Sequence, residues 1–529
     1  MLSAAAPKTQ AKVIGKVYRE CPICESPNLR YEFLVEGSPV CGCQDCGLLF
    51  LNPQPQSRLQ QDEPLYLDSG TLADLYIANA AERIQQLVAY SGTRSGVLLL
   101  IGADAYLSTE GQKLGFDVHS LTVKEFQSAS SKEFPPAVSA CVLFCALERM
   151  ADPFDALLRV RRILVRDGCL MVISPTSDSK TARLLRSSWW EFNRQNLFYF
   201  STDTLQNLLI KAGFGDSIIE PDRTLISLNY ARRRLAAASR GLHRYRWLRR
   251  LMFLTPVPKN KRFRLLYGRT RFLVRASQRP PKPLLSVIVP VYNEQPTFER
   301  LIEQLLAKTL DGVDIEIIIV ESNSTDGSRD AVLRYQNHPR VRVILEPAPM
   351  GKGHAVRAGL HAANGTLILF QDADLEYDID DYDALVAPLV RFQSNFVLGS
   401  RHSGLKNSWK IRKFSDSPGL ATFFNFGHLL FLTLFNLLYS QRLTDPFTMF
   451  KVFRHECLYG LSFECNRFDF DYEIVIKFLR KGYKALEVPV NYQSRSMKEG
   501  KKVTVFRDPL TWIRALVKFR STPLYERHS

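Results

Sequence analysis

Four runs of almost uninterrupted apolar residues constrain this chain more than any other feature. They are PLLSVIVPVY (283–292), DIEIIIV (314–320), VRVIL (341–345) and TLILF (366–370). After the first comes PTFERLIEQLLAKTL, with Pro296 near its start and an apolar stripe at Phe298, Leu301, Ile302 and Leu305, the spacing of a helix. Before the last comes GHAVRAGLHAA (353–363), also helical in pattern. Strands apolar on both faces that alternate with helices predict a mostly parallel sheet covered on both sides. Ligands of such sheets bind at the carboxyl ends of the strands.

At that edge the fourth run stops in FQDADLEYD, which carries Asp372, Asp374, Glu376 and Asp378. If the strand persists briefly, Asp372 and Asp374, two apart, point to one side. Two hard oxygen ligands at an open edge suit Mg²⁺ or Mn²⁺, which keep coordination places for phosphate oxygens. Asp378, Asp380 and Asp381 have a plainer role as acids favouring the positive N-terminus of the helix in DYDALVAPLVRF.

Seven short motifs follow one another here: VIVPVYNE (287–294), VESNSTDGS (320–328), GKGHAVRAG (351–359), DADLE (372–376), GSR (399–401), TDPFTMFKVFR (444–454) and EVPVNYQSRSMKEGKK (487–502). With them, residues 284–508 resemble an inverting family 2 glycosyltransferase of GT-A fold, most of all the dolichyl-phosphate mannose synthases and related polyprenyl-phosphate glycosyltransferases. The resemblance implies that Pro290, Tyr292 and Glu294 line a nucleotide pocket, with Val320, Glu321 and Ser322 beside base and ribose. Lys352, Gly353 and Ala373 complete the donor site. Asp372 and Asp374 would hold a metal on the diphosphate, helped by Glu376, where glutamine is common. Arg401, Arg495 and Lys501 would face donor phosphates or an anionic acceptor, with Asp374 and Arg401 counted as catalytic. The chain departs from the pattern at Glu321-Ser322-Asn323, where Asp-Asp-Gly is usual, and at Met449, where glycine is common.

The expected reaction moves one sugar, with inversion, from a nucleotide diphosphate-sugar (GDP-mannose or a UDP-sugar) to a polyprenyl phosphate. A phosphate acceptor arrives ionised and needs no base, whereas a sugar hydroxyl does. For a hydroxyl acceptor, as in cell-surface glycan synthesis, Asp471 or Glu473 is the candidate base; Glu473 reads equally as an acid at a helix start. Two further alternatives are a bifunctional glycosyltransferase/methyltransferase and a non-catalytic membrane scaffold.

The N-terminal half has a different signature. Five of the ten cysteines fall in residues 21–46, and Cys21-x2-Cys24 and Cys43-x2-Cys46 have the spacing of a zinc ribbon (20–50) with a closed, structural Zn²⁺ site. Cys41 is a spare that could replace Cys43. Residues 51–230 alternate helix-like and strand-like stretches, which predicts a doubly wound α/β sheet. LFCALERMADPFDALLRVRRILVRDGCLMVISP and WWEFNRQNLFYFSTDTLQNLLIKAGF resemble class I S-adenosylmethionine-dependent methyltransferases, including those with an N-terminal zinc ribbon. The residues that would hold the cofactor are missing. Gly102 alone survives of a glycine-rich turn, Thr122 replaces an acid for the ribose hydroxyls, Glu148-Arg149 replaces Glu-His, and Asn196 replaces a histidine. The domain is therefore expected to be inactive, with S-adenosylmethionine not expected as cofactor.

Between the halves, residues 231–283 carry fourteen Arg and three Lys and no acid, which equals the net charge of +17. Trp247, Leu248, Leu251, Met252, Phe253 and Leu254 lie among them, so the segment reads as a basic amphipathic linker for an anionic membrane surface, with a solvated linker as the alternative. Nucleic acid would use the same charges, but no recognition helix or stacking platform accompanies them, and no nucleic-acid partner is expected. The stretch 418–441 is uncharged and approaches membrane-spanning length, yet Asn425, His428 and Asn436 dilute it. It reads as a helix that is partly core and partly interfacial. Residues 1–19 read as a basic tail without a secretory signal and 509–529 as a C-terminal tail. The whole is expected at the cytoplasmic face of a membrane, peripherally bound.

Overall fold

The computed structural model describes residues 16–55, 73–103, 105–130, 133–227, 262–276, 283–402, 418–494 and 507–525. The chain divides into two compact units: Met1–Phe214 with Ile219–Ala276, and Gly215–Ile218 with Ser277–Ser529.

The first unit opens with the antiparallel strands β1 (Leu29–Val35), β2 (Ser38–Cys43) and β3 (Leu49–Leu51). There follow α1 (Ala73–Ser91), β4 (Gly96–Ile101), α2 (Ala105–Lys113), β5 (Phe116–Leu121), α3 (Val123–Ser128), β6 (Val138–Phe144), α4 (Pro153–Ile163), β7 (Leu164–Pro175), α5 (Lys180–Leu185), β8 (Phe198–Tyr199), α6 (Thr202–Lys211), β9 (Phe214–Ser227) and β10 (Arg262–Ala276). The larger sheet has the order β5-β4-β6-β7-β10-β9, with β4, β5, β6 and β7 parallel and β10 antiparallel to β7. The small sheet has the order β1-β2-β3-β8, so the ribbon is completed by a strand from much later in the chain. Lys211 strengthens that junction, donating to the Ile23 carbonyl at 2.7 Å and pairing with Glu25 at 2.8 Å.

The expected linker is corrected at its C-terminal end. Residues 262–276 form an inner strand of the sheet, in register from Arg269 opposite Pro175 to Arg275 opposite Cys169. Its alternation explains this: Phe272 and Val274 are fully buried, Arg275 donates to the Tyr90 carbonyl at 2.6 Å, and Arg269 and Arg271 find acids. Arg269 pairs with Glu191 at 3.3 Å and Arg271 with Glu220 at 2.6 Å. Trp247 to Leu254 lie outside the described residues.

The second unit contains β11 (Leu284–Val291), α7 (Gln295–Ala307), β12 (Asp314–Glu321), α8 (Ser328–Leu333), β13 (Val341–Leu345), α9 (Lys352–Ala362), β14 (Leu367–Phe370), α10 (Tyr382–Val390), β15 (Phe396–Ser400), α11 (Pro418–Tyr439), β16 (Lys451–Arg454), α12 (Phe470–Lys481), β17 (Ala485–Pro489) and α13 (Arg507–Ser521). Its seven-stranded sheet has the order β13-β12-β11-β14-β16-β15-β17. The first four strands are parallel, and β16 runs antiparallel between β14 and β15. Val287, Ile288, Val289, Ile317, Ile318 and Ile319 are wholly buried at its centre, each contributing ~1.5–3 kcal/mol of apolar transfer. The supposed C-terminal tail is instead the core helix α13. Leu516 and Phe519 are buried, and Trp512 packs against Phe431 and stacks on Tyr472 with centroids 5.5 and 5.7 Å away. Among the described residues, no helix is long and apolar enough to cross a membrane.

Candidate active site

Strand β14 ends at Phe370, so Asp372 and Asp374 stand in the turn beyond it rather than on a continued strand. Three bonds fix that turn. Tyr382 donates to the buried Gln371 side chain at 2.8 Å, Thr297 Oγ1 donates to the Ala373 carbonyl at 2.6 Å, and the Glu376 N–H donates to Asp374 Oδ1 at 3.1 Å. Lys352, the first residue of α9, reaches across and pairs with Asp372 at 2.7 and 2.9 Å. Burial pushes the Lys352 ammonium down, but the charges of Asp372, Asp471 and Asp374 outweigh it and hold it above its ordinary range. Asp471, at the start of α12, in turn receives Lys451 of β16 at 2.8 Å. Three carboxylates and two ammonium groups from four elements thus meet at the carboxyl end of the sheet.

Glycine lets α9 come this close. Gly351 adopts φ +104°, and a Cβ there would lie 2.5 Å from the Asn466 carbonyl; at Gly353 it would lie 2.6 Å from that of Cys465. Any side chain would push Lys352 off the acids.

The remaining expected donor residues lie on the neighbouring strand ends. Pro290 is in β11, Tyr292 follows it half-exposed, and Glu294 is buried with its N–H donating to Ser328 Oγ at 2.9 Å. Val320 and Glu321 close β12; the Glu321 carboxylate is buried, paired with Arg329 at 3.2 Å. Ser322 donates to Glu346, which also faces His354. Glu346 did not stand out in the sequence, and His354 entered only as part of GKGHAVRAG.

Four expectations change. Arg401 does not present its fork to a ligand: Nε and Nη2 grip the buried Asp445 at 2.7 and 2.8 Å, with the ring of Tyr492 at 5.1 Å. Burial would raise the Asp445 carboxyl, but Arg401 beside it holds it well below the usual range. Glu376 is turned away to accept from Tyr492 Oη at 2.7 Å, and among the described residues it does not converge with Asp372 and Asp374 as a three-acid cluster. Glu473 is fully buried, accepting from the Glu464 and Cys465 N–H groups at 3.0 and 2.8 Å and from Lys477 at 2.5 Å. It holds the loop that shapes α9 and is no candidate base. Asp471, the other candidate base, has an oxygen committed to Lys451. Arg495 and Lys501 lie outside the described residues.

In the first unit, Cys21, Cys24, Cys43 and Cys46 come together with every Sγ within 4.8 Å of the others, a group able to hold a metal ion. Cys41 stays outside it. In that unit the positions that the methyltransferase resemblance assigned to the cofactor make internal contacts. Gly102, at φ +70°, has the Phe144 carbonyl 2.9 Å from where a Cβ would stand. Thr122 caps α3, accepting from the Glu125 N–H at 3.1 Å. Glu148 is buried, accepts from Ser174 Oγ at 3.0 Å, and is pushed up to about 7 by that burial. Asn196 donates to the Glu191 carbonyl at 2.9 Å.

A parallel strand edge that carries an acid pair with flanking ammonium groups suits a divalent ion and the phosphates it binds. The chain belongs to glycosyl transferase family 2, whose sequence pattern matches residues 286–459. It is 30% identical over 227 residues to dolichyl-phosphate beta-glucosyltransferase ALG5A of Trichomonas vaginalis, an alignment covering 40% of this chain and 67% of that one. It is 26% identical over 219 residues to a dolichol-phosphate mannosyltransferase of Pyrococcus furiosus, covering 41% of this chain and 58% of that one. The chain thus spans 67% and 58% of the length of these two relatives. Glucosyl-3-phosphoglycerate synthase of Mycobacterium tuberculosis, solved with Mn²⁺, uridine diphosphate and phosphoglyceric acid, aligns at 21% identity with a TM-score of 0.35, over 46% of this chain and 80% of that one.

Proposed function

We propose that the second unit moves a sugar from a nucleotide diphosphate-sugar to a polyprenyl phosphate, with inversion at the anomeric carbon. The observation that carries this reading is the charge cluster at Asp372, Asp374, Lys352 and Asp471, held open at the strand edge. Two hard carboxylates with room beside them fit Mg²⁺ or Mn²⁺, and Asp372 and Asp374 would hold the ion. When bound, the ion supplies Lewis-acid stabilisation of the leaving diphosphate. Lys352 contributes a second positive charge there as the glycosidic bond breaks. An acceptor phosphate oxygen forms the new bond to the anomeric carbon from the opposite face, and the electron pair of the old bond leaves with the diphosphate.

A phosphate acceptor is favoured over a sugar hydroxyl because neither expected base is free to act. Glu473 is sealed in, and Asp471 is engaged by Lys451. The dolichyl-phosphate transferases among the relatives support the same acceptor class. The apolar surface of α11 and α13, with Phe426, Leu430 and Leu437 exposed on one and Val517 on the other, would lie against the lipid at the cytoplasmic face.

The first unit is read as a non-catalytic, methyltransferase-like support. Its four thiolates suit tetrahedral Zn²⁺, with Sγ–Sγ separations of 3.5 Å for Cys21–Cys46 and Cys24–Cys43. The deciding experiment is sugar release from a panel of UDP- and GDP-sugars with Mn²⁺, with and without a short polyprenyl phosphate, beside Asp374→Ala. Turnover requiring both the lipid phosphate and Asp374 is the expected result. Donor cleavage indifferent to the lipid would move the acceptor to a hydroxyl, and no cleavage with any donor would overturn the enzyme reading of this site.

A further inference from the structure

The acids around the charge cluster each have a partner, and one of these partners is unlike the rest. Asp372 is held by Lys352, and Asp374 accepts from the Glu376 N–H at 3.1 Å. Asp469 accepts from the Arg467 N–H at 3.1 Å, and Glu376 from Tyr492 Oη at 2.7 Å. Asp471 is held from inside the sheet. Its partner Lys451 opens β16, where it lies opposite Leu398 of β15. No part of the Lys451 side chain is exposed, whereas Asp471 keeps 15% of its own in reach of solvent.

A lysine in that place is unfavourable for the strand. Its ammonium donates to Asp471 Oδ1 at 2.8 Å and to the Thr448 carbonyl. Burial pulls it below its ordinary range, and Asp471 is the main charge that resists. Lys352 repels it; Asp445 attracts it, but that carboxylate is gripped by Arg401. Exchanging a buried ion pair for apolar groups of similar volume is often neutral or stabilising. Packing in β16 does not need this charge.

The effect falls on chemistry at Asp471. A general base takes a proton from the nucleophile as it attacks. Were Asp471 to take one, Lys451 would become a fully buried ammonium without its acid, among the least favourable arrangements in a protein interior. Proton transfer to Asp471 is thereby opposed. A phosphate oxygen brings no proton and is unaffected. Sugar hydroxyls and water do bring one, and water competes at every turnover. In hydrolysis the water oxygen would bond to the anomeric carbon and its proton would pass to Asp471. The electron pair of the glycosidic bond would leave with the diphosphate.

We propose that Lys451 is a positioning residue that sets acceptor specificity: by engaging Asp471 from within the sheet it withholds a general base, restricts transfer to acceptors that arrive ionised, and protects the donor from water. This rests on the glycosyl-transfer reading above.

The test follows sugar from a UDP- or GDP-sugar into free sugar and into lipid-linked sugar, in the full chain with Mn²⁺ and a short polyprenyl phosphate. Wild type should release free sugar at less than about a hundredth of its transfer rate, the factor a positioned base would supply. Lys451→Met and Lys451→Gln remove the charge with little change in length. Each should raise the free-sugar rate about 100-fold, the lower end of a general base's contribution. Lys451→Arg keeps the charge and should stay near wild type. Adding Asp471→Asn to Lys451→Met should abolish the gain. An unchanged free-sugar rate in neutral variants that still transfer to lipid phosphate, or a gain that survives Asp471→Asn, would overturn this inference alone. So would neutral variants that bind nucleotide yet give neither product, or a wild type that hydrolyses donor as fast as it transfers. A wild type that turns over no donor would overturn the glycosyl-transfer reading itself.

Discussion

Each unit gathers charge at the carboxyl edge of a parallel sheet, and the two treat it differently. In the first, Arg83 pairs with Asp222 at 2.7 Å and Arg269 with Glu191 at 3.3 Å, and all four side chains are buried. The Arg83 guanidinium also lies 4.8 Å from the ring of Phe144, the last residue of β6, so the edge is filled by the protein's own groups. In the second, Lys352, Asp372 and Asp471 keep 19%, 22% and 15% of their side chains exposed. A pair sealed from water has no further ligand to take, and its charges serve the fold. A cluster left partly wet can still bind something positive and the phosphates that follow it.

The largest effect that sharpens this contrast is in stability. Arg83→Met should strand Asp222, whose carboxyl, raised by burial, is held below its ordinary range chiefly by Arg83. Leaving a buried charge without its main partner costs about 3–5 kcal/mol. A urea titration should show the first unit unfolding at lower denaturant, while turnover per folded molecule stays unchanged. Lost turnover without lost stability would break the contrast.

Asp374→Ala tests the other side. The expected loss is at least ~100-fold in rate, the scale for removing a key electrostatic stabiliser, with the urea midpoints of both units unmoved. A destabilised second unit would mean that its cluster, too, is a structural one.

A pH titration separates the units next. Burial raises Glu148 in the native first unit to about 7 from an ordinary 4.5, with Ser174 Oγ and backbone bonds only partly offsetting it. Between those values the unfolded chain has released a proton that the native state retains. The native state therefore binds more protons, and stability falls as pH rises through that window, levelling off above it. The full loss is about 3 kcal/mol, since the window costs ~1.4 kcal/mol for each pH unit it spans. Urea midpoints at pH 4.5 and 8 should show it in wild type, and Glu148→Gln should flatten it.

How far the sequence reveals this follows the range of the interactions. The apolar runs, the cysteine spacing and the acid pair are local, and each was legible. Asp445, the partner of Arg401, lies 44 residues from it, and its grip redirects a guanidinium that the motif alone aimed at phosphate. The basic segment misled for the same reason. Arg269 and Arg271 look like unpaired surface charge until the fold brings Glu191, Glu220 and Asp222 beside them. A local signal was present in RTRFLVRA, whose alternation fits a strand, but the surrounding arginines masked it. Glu346 had no motif to mark it, and the GKGHAVRAG motif that contains His354 gave no sign of their partnership, which crosses from a strand end to a helix start.

The smallest expected effect tests the methyltransferase resemblance of the first unit. Thr122 stands where the methyltransferase resemblance places a ribose-binding acid. Here its hydroxyl caps α3 by accepting from the Glu125 N–H at 3.1 Å, and Glu125 returns the bond to the Thr122 N–H at 2.8 Å. Thr122→Ala should cost about 1 kcal/mol, as for other lost caps, and Thr122→Asp should cost only a few tenths, because aspartate caps as well as threonine. The Asp variant therefore restores the missing carboxylate with the fold intact. It should still show no saturable binding of S-adenosylmethionine in calorimetry. Gly102 remains packed on the Phe144 carbonyl, and the Arg83–Asp222 and Arg269–Glu191 pairs still fill the strand edge. Binding restored by this one substitution would place the difference between the two edges in a single side chain rather than in the buried network.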